Sequence, residues 1–276
     1  MQSARNALLA TLLLSSLSAT ARADFDTDLA SFKGRLFATF VAGGGNDYAV
    51  YVLASKDGSS WEVIRKFDKK AAAQSIVNIA PRFTFGPDGH LMLSCAAFPK
   101  GLSVWATKDG KQWDQVKDLV RPTCQLQNGS QVVNFSPDTR LVWDNKTAFY
   151  CRTGGICGEG GTVQIYSSQD GAEFGRHMDW MSPGGNDDYY DTTLLKTDSQ
   201  LLCLTTTKYA AKLGRSKAPF KDWKWNEVVP AIRKPNLQQL PEGRLIVSAA
   251  INQGGLRHAL FELDANTGKL RELRRI

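Results

Sequence analysis

Short runs of apolar and β-branched residues recur along this chain. Each is closed by a turn containing Gly, Asp, Asn or Pro, and no 3.6-residue apolar period of comparable quality interrupts them. Three of the runs, Tyr48 to Ala54, Leu102 to Ala106 and Thr162 to Tyr166, lead into closely similar segments. These read SKDGSSW (Ser55 to Trp61), TKDGKQW (Thr107 to Trp113) and SSQDGAEF (Ser167 to Phe174). The first two then run on into Trp61-Glu-Val-Ile and Trp113-Asp-Gln-Val, so each reads as strand, Asp-Gly turn, strand: a hairpin. The Asp carboxylate can accept the turn's backbone N–H groups, the Gly supplies positive φ, and the aromatic can cover the hairpin.

A second unit accompanies the hairpins. It reads Gly34-Arg-Leu, Gly89-His-Leu, Lys146-Thr-Ala, Ser199-Gln-Leu and Gly243-Arg-Leu, and each copy opens an apolar run. The spacings between the third residues are 55, 57, 53 and 44. Units of about 50 residues, each with room for four short strands, are the mark of a β-propeller. The expected fold is all-β: a five-bladed β-propeller of four-stranded antiparallel blades. Six blades would require one further, degenerate unit.

The first 23 residues stand apart from this pattern. Arg5 is followed by the apolar stretch Ala7 to Leu17, too short to span a bilayer, and Ala21-Arg-Ala23 has small residues where a signal peptidase requires them. Residues 1–23 are therefore expected to be a cleavable signal peptide, and residues 24–276 a single propeller domain, secreted or periplasmic. No later run is long and apolar enough for a membrane-spanning helix.

The net charge of +7 comes from basic residues interleaved with acids, with short clusters at Arg65 to Lys70 and Lys269 to Arg275. Nucleic-acid binding would call for a basic stripe within a known module, and neither occurs. The surplus can steer an anionic ligand from a distance. Export would place the five cysteines in a compartment where disulfides persist. The spacing of Cys151 and Cys157 suits a bridge across the Gly-rich loop Gly154 to Gly161. The scattered histidines and the absence of a CxxC pair argue against zinc. The loops GGGNDY (43–48) and PGGNDDYY (183–190) are explained by turn chemistry, so no metal and no cofactor are expected.

The SxDGxxW segments resemble, in a short variant, the Asp-box (BNR) repeats of the sialidase-like superfamily of propellers. SKAPFKDWKW (Ser216 to Trp225) looks like a degenerate fourth copy. In that superfamily the boxes lie on outer turns, so the resemblance gives Asp57, Asp109 and Asp170 a structural role. It implies a carbohydrate or glycoconjugate ligand, bound or hydrolysed, and a glycoside hydrolase if the chain is an enzyme. A non-catalytic glycan-binding or protein-binding scaffold is the alternative.

Aligning the five units on their anchors puts the starts of the innermost strands near Asp26 or Asp28, Arg82, Arg140, Asp191 and Asn236. Arg82, Arg140 and Asn236 are expected to contact the ligand, the arginines through bidentate bonds to an anion. Glycoside hydrolysis uses two carboxyl groups. Asp191, in YYDTTLL, and Glu159, in the Gly-rich loop, are the candidates. Tyr189 and Tyr190 are expected to stack on a sugar ring. The blade starts differ from one another, which favours one site over several equal ones.

Overall fold

The computed structural model describes residues 27–42, 49–67, 77–98, 101–119, 123–125, 131–133, 140–153, 162–169, 174–181, 189–207, 210–240, 242–252 and 256–275. The proposed signal segment therefore lies outside the described residues, as do Asp26, Cys157, Glu159 and Asp170.

Five sheets follow one another along the chain, each of four antiparallel strands in sequence order. The first contains β1 (Asp28–Phe32), β2 (Arg35–Ala42), β3 (Ala49–Ser55) and β4 (Glu62–Phe67). The second contains β5 (Val77–Phe85), β6 (Leu91–Phe98), β7 (Gly101–Thr107) and β8 (Asp114–Leu119). A short ribbon of β9 (Thr123–Gln125) and β10 (Gln131–Val133) precedes the third sheet. That sheet contains β11 (Val142–Asp144), β12 (Thr147–Thr153), β13 (Thr162–Ser168) and β14 (Gly175–Met181). The fourth contains β15 (Tyr189–Lys196), β16 (Leu201–Thr207), β17 (Ala211–Ser216) and β18 (Lys224–Val228). The fifth contains β19 (Arg233–Gln239), β20 (Leu245–Asn252), β21 (Leu256–Leu263) and β22 (Leu270–Arg275). The fold is the expected five-bladed β-propeller, without helices among the described residues. The repeated anchors Leu36, Leu91, Ala148, Leu201 and Leu245 all fall at the head of the second strand of a blade.

Burial explains the sequence pattern. The second strand of the fourth blade, β16, is buried at every position, so LLCLTTT reads as a continuous run with no alternation. The outermost strand β4 is exposed at four of its six positions and carries Glu62, Arg65 and Lys66. Charged outer strands discourage pairing with another chain's edge.

The contacts group the chain into two compact units. The first contains the first two blades and residues 139–146, and its core joins Phe32, Phe37, Val52 and Phe67 to Phe83, Leu91, Trp105 and Trp113. Phe67 meets Trp105 at 4.3 Å between ring centroids and Trp113 edge-on at 6.3 Å. The second unit contains the last two blades, β9, β10 and most of the third blade. Its core joins Leu202, Leu204 and Leu213 to Ile232, Leu237, Val247 and Phe261.

The Asp-Gly turns adopt one geometry in the first two blades. Asp57 Oδ1 accepts the backbone N–H groups of Ser59 (2.8 Å) and Ser60 (3.1 Å), while Ser55 Oγ accepts that of Gly58 (2.8 Å). Asp109 Oδ1 accepts those of Lys111 (2.7 Å) and Gln112 (3.0 Å), and Thr107 Oγ1 that of Gly110 (2.8 Å). Gly58 and Gly110 have φ of +78° and +77°. The Trp61 indole N–H donates to the Gly58 carbonyl at 3.2 Å.

The fourth blade keeps the indole bond and loses the carboxylate. Trp223 Nε1–H donates to the carbonyl of Phe220 at 2.8 Å, and Phe220 takes the positive φ of the missing glycine, at +63°. The fifth blade does the reverse. Asp264 accepts from the Asn266 N–H (2.8 Å) and the Thr267 hydroxyl (2.8 Å), with Gly268 at φ +75° and no Trp in the turn.

Two predictions follow from these turns. A Cβ on Gly110 would sit 2.5 Å from Phe37 Cζ, whereas one on Gly34 (φ +73°) would meet nothing within 4 Å. Gly34→Ala should destabilise by about 1 kcal/mol from backbone strain alone. Gly110→Ala should destabilise by about 2–4 kcal/mol, because overpacking adds to that strain. Urea unfolding of both variants reads the difference, and equal losses would refute the steric contribution of Phe37.

The second prediction concerns acid. Donation from Ser60 and Ser59 holds the Asp57 carboxyl below its ordinary 3.8, and donation from Lys111 and Gln112 does the same for Asp109. A depressed folded-state value stabilises above the unfolded-state value, and that stabilisation is lost as pH falls below it. A double Asp57→Ala, Asp109→Ala variant should therefore be less stable than wild type at pH 7. The gap should narrow as pH drops below 3.8. Urea titrations across that range test it, and a gap independent of pH would contradict it.

Candidate functional site

Four of the candidate residues fall on or beside the first strands of blades, and all four are buried: Arg82, Arg140, Asp191 and Asn236. Asp28 opens β1 and Arg140 lies two residues before β11. Asp191 is the third residue of β15. Arg82 and Asn236 lie further inside their strands than expected, because β5 and β19 both begin before a pairing irregularity.

The two irregularities match residue for residue. Pairing shifts between Ile79 and Arg82 in one strand and between Arg233 and Asn236 in the other. Each contains a positive-φ residue followed by proline: Ala80 (+51°) and Pro81, Lys234 (+48°) and Pro235. Proline cannot donate to the ladder, so within a sheet it is confined to edges and bulges. The extra residues re-aim the chain just ahead of the polar side chain.

Each bulged strand receives a carboxylate from the blade before it. In the first unit, Asp28 Oδ2 accepts the backbone N–H of Phe83 at 2.8 Å. In the second, Asp191 Oδ2 accepts the backbone N–H of Lys234 at 3.0 Å. Each carboxylate also meets an arginine. Arg140 Nη2 lies 3.1 Å from Asp28 Oδ1 and 3.0 Å from Oδ2, with the side chains 7% and 1% exposed. Arg233 Nε lies 3.2 Å from Asp191 Oδ2, with the side chains 30% and 10% exposed. Thr206 Oγ1–H adds a third bond to Asp191 Oδ2 at 3.3 Å.

Charge and burial give these nodes different capacities. The Asp28–Arg140 pair is closed off from solvent and ties the first blade to the second and to the chain entering β11. Arg82 is equally inward, its Nη1 donating to the carbonyl of Pro81 at 2.9 Å. The Asp191 node is more open, and the more exposed member is Arg233 rather than the acid. Of these two arginines, sequence reasoning favoured Arg140 as the ligand contact. The signal that separates them is burial, which spacing does not encode.

The remaining candidates are less connected. Tyr189 and Tyr190 open β15, with pairing shifted between Tyr189 and Asp191, but the placement of their side chains lies outside the described residues. Glu159 also lies outside them, so no second carboxyl is placed beside Asp191. The expected Cys151–Cys157 bridge is not formed. Cys151 is in no disulfide and is buried in β12, with Sγ 3.5 Å from Thr192 Oγ1, which is in turn 3.5 Å from Cys203 Sγ. A side chain turned into that contact is committed to the core rather than to the following loop. No group of three metal-binding side chains occurs among the described residues.

No protein-family model matches the chain, and no curated protein matches its sequence. Solved structures do match in fold. One is a protein of unknown function from Dyadobacter fermentans, with a TM-score of 0.68 at 14% identity, covering 90% of this chain and 82% of that one. Another is an exo-β-1,3-galactanase from Clostridium thermocellum, with a TM-score of 0.63 at 12% identity, covering 88% and 60%. A third is the catalytic domain of a GH62 α-L-arabinofuranosidase from Coprinopsis cinerea, at 0.59 and 12%, covering 86% and 88%. At such identities the likeness shows the fold.

The closed node yields a stability prediction. Removing one partner of a buried ion pair typically costs about 3–5 kcal/mol, because the other charge is left uncompensated. Arg140→Ala should lose about that much, since it strands Asp28. A double Asp28→Leu, Arg140→Met variant should recover part of the loss. Chemical denaturation of the three proteins checks this, and a loss below about 1 kcal/mol for Arg140→Ala would mean that the pair is not load-sharing.

Proposed function

We propose that this chain is an exported, carbohydrate-directed propeller of the sialidase-like kind, with its sugar site at the Asp191–Arg233 node. The observation that carries the reading is the node itself. An acid and a partly exposed arginine are held together at the bulged start of β19, in a fold shared with a galactanase and an arabinofuranosidase. The matching hydrogen bonds of the Asp57 and Asp109 turns support reading them as short Asp boxes on outer hairpins. The leader sequence of residues 1–23 supports export.

Within this reading Asp191 and Glu159 are the pair for hydrolysis, one carboxyl donating a proton to the leaving oxygen while the other attacks or activates water. Asn236, Tyr189 and Tyr190 would contact the sugar. A second reading, binding without hydrolysis, is favoured by one specific feature. Asp191 Oδ2 already accepts from Thr206, Arg233 and Lys234, so the acid is also a structural tie.

A panel of chromogenic glycosides, galactosides, arabinofuranosides and sialosides among them, separates the two. Hydrolysis should fall by about a hundredfold or more in Asp191→Asn and Glu159→Gln if the pair is catalytic. Turnover retained in both variants would overturn the catalytic assignment. No turnover by wild type, together with saccharide binding on an array, would select the binding reading. Neither turnover nor binding would overturn the carbohydrate reading altogether.

A further inference from the structure

We infer that Ser167 is a nucleophile activated by His177, and that the chain hydrolyses small uncharged acyl esters at this pair, independently of the Asp191–Arg233 node. The pair stands out when the outer strands of the blades are compared. In the first, second, third and fifth blades the pairing of the third strand with the fourth shifts once, skipping one residue of the fourth strand. The skipped residue is Ile64 in the first blade, Val116 in the second and Leu273 in the fifth, but His177 in the third. Just beyond the shift, the third strand carries Ala54 opposite Glu62 in the first blade and Ala106 opposite Asp114 in the second. The third blade has Ser167 opposite Gly175 there. Two apolar positions of the repeat are thus a hydroxyl and an imidazole in this blade, and they meet: Ser167 Oγ lies 3.3 Å from His177 Nδ1. Bulges of this kind re-aim side chains and are frequent beside active sites.

The other ring nitrogen fixes the tautomer. His177 Nε2 lies 3.1 Å from the carbonyl oxygen of Phe220, which can only accept, so Nε2 carries the hydrogen. In the neutral ring Nδ1 then presents a lone pair, and the Ser167 hydroxyl donates to it. The Phe220 carbonyl is itself held, because it also accepts the Trp223 indole N–H at 2.8 Å. Phe149 lies edge-on to the imidazole, with centroids 5.3 Å apart, and edge-on to Phe220 at 5.4 Å. Hydroxyl, base and orienting acceptor therefore stand in series, the arrangement that activates a serine. Without substrate such bonds are commonly long, and they tighten during reaction.

Room for a substrate lies beside the hydroxyl. Gly175 is the direct cross-strand neighbour of Ser167, and a Cβ built on it would meet nothing within 4 Å. Ser167 and His177 are both half-buried, so the pair is reachable from solvent. The rings of Phe149 and Phe220 suit an uncharged acyl group better than a charged one. In the reaction the Ser167 oxygen bonds to the ester carbonyl carbon while its proton passes to His177 Nδ1. The bond from that carbon to the alcohol oxygen breaks, and the imidazolium returns the proton to the departing alkoxide. Water then attacks the acyl-serine, one of its protons passing through Nδ1 to the Ser167 oxygen as the carboxylic acid leaves.

The test uses the full chain with p-nitrophenyl acetate, butyrate and octanoate, and with a fluorophosphonate probe that bonds to activated serines. Tandem mass spectrometry of the labelled wild type should place the adduct on Ser167. Ser167→Ala should hydrolyse the best of the esters about tenfold or more slower than wild type. His177→Gln, which keeps a donor and an acceptor but has no basic nitrogen, should lose as much. Ser199→Ala, at an exposed turn serine, should change nothing. Circular dichroism should show all three variants folded, and the position of the adduct is read on wild type alone.

No adduct on Ser167, or no turnover of any of these esters by wild type, would overturn the inference. Turnover retained in Ser167→Ala would assign it to other side chains and overturn the inference too. Turnover lost in Ser167→Ala but kept in His177→Gln would remove His177 as the base, with the same consequence. Results with glycosides bear on the Asp191 node alone.

Discussion

The contact on which each compact unit depends is a buried aspartate reaching from the first strand of one blade to a backbone N–H of the next. Asp28 does this to Phe83, and Asp191 does it to Lys234. Blades of a propeller are joined mainly by non-directional apolar packing, which fixes distance better than register. A charge-assisted hydrogen bond to a specific amide supplies the register. The acid must be buried to be strong, and burial obliges it to find a cation. The accompanying arginines are therefore a consequence of the clasp rather than an independent feature.

The bulges belong to the same construction. A regular strand directs its amides into the ladder of its own sheet. At Lys234-Pro235 the ladder is interrupted and the Lys234 amide itself meets the neighbouring acid, whereas at Ala80-Pro81 the amide that does so, that of Phe83, lies just past the interruption. The positive φ of Ala80 and Lys234 is conformational strain, and the proline ring fixes the next residue, so both sites are held by what surrounds them. Strain of this kind collects where a structure must present a particular group. In both strands the residue presented immediately after the proline is polar: Arg82 in one, Asn236 in the other.

Much of the fold was legible because its causes are local. Strand, turn and strand follow from the alternation of apolar runs with Asp-Gly punctuation, and the five anchors recur because each blade buries its second strand in the same way. The degenerate turns were less legible. Phe220 occupies a left-handed position that sequence rules reserve for glycine, and the Asp264 turn reaches its glycine four residues on instead of one. The site was legible only in outline. Spacing brought out Arg82, Arg140, Asp191 and Asn236, all of which prove to be inward-facing. The charged partners of Asp191 and Arg140, Arg233 and Asp28, come from 42 and 112 positions away, and no short-range pattern carries that information. Cys151 is a related case. Its spacing to Cys157 suited a loop staple, yet the thiol is committed to a core contact with Thr192.

Comparison of the two nodes shows one construction in two surroundings. Both join an aspartate, a neighbouring amide and an arginine. In the first, the guanidinium meets both carboxylate oxygens and is sealed from water, so the interaction is spent on cohesion. In the second, the acid is held by three donors on one oxygen, and the arginine is gripped at Nε and left partly in contact with solvent. An ion pair that is satisfied and closed has no remaining capacity for a ligand. One that is anchored yet open keeps its geometry while staying in contact with solvent. That difference in burial, more than any difference in residue type, distinguishes the two arginines. It also explains why the asymmetry among blade starts, already visible in the sequence, becomes informative only once the surroundings of each charge are known.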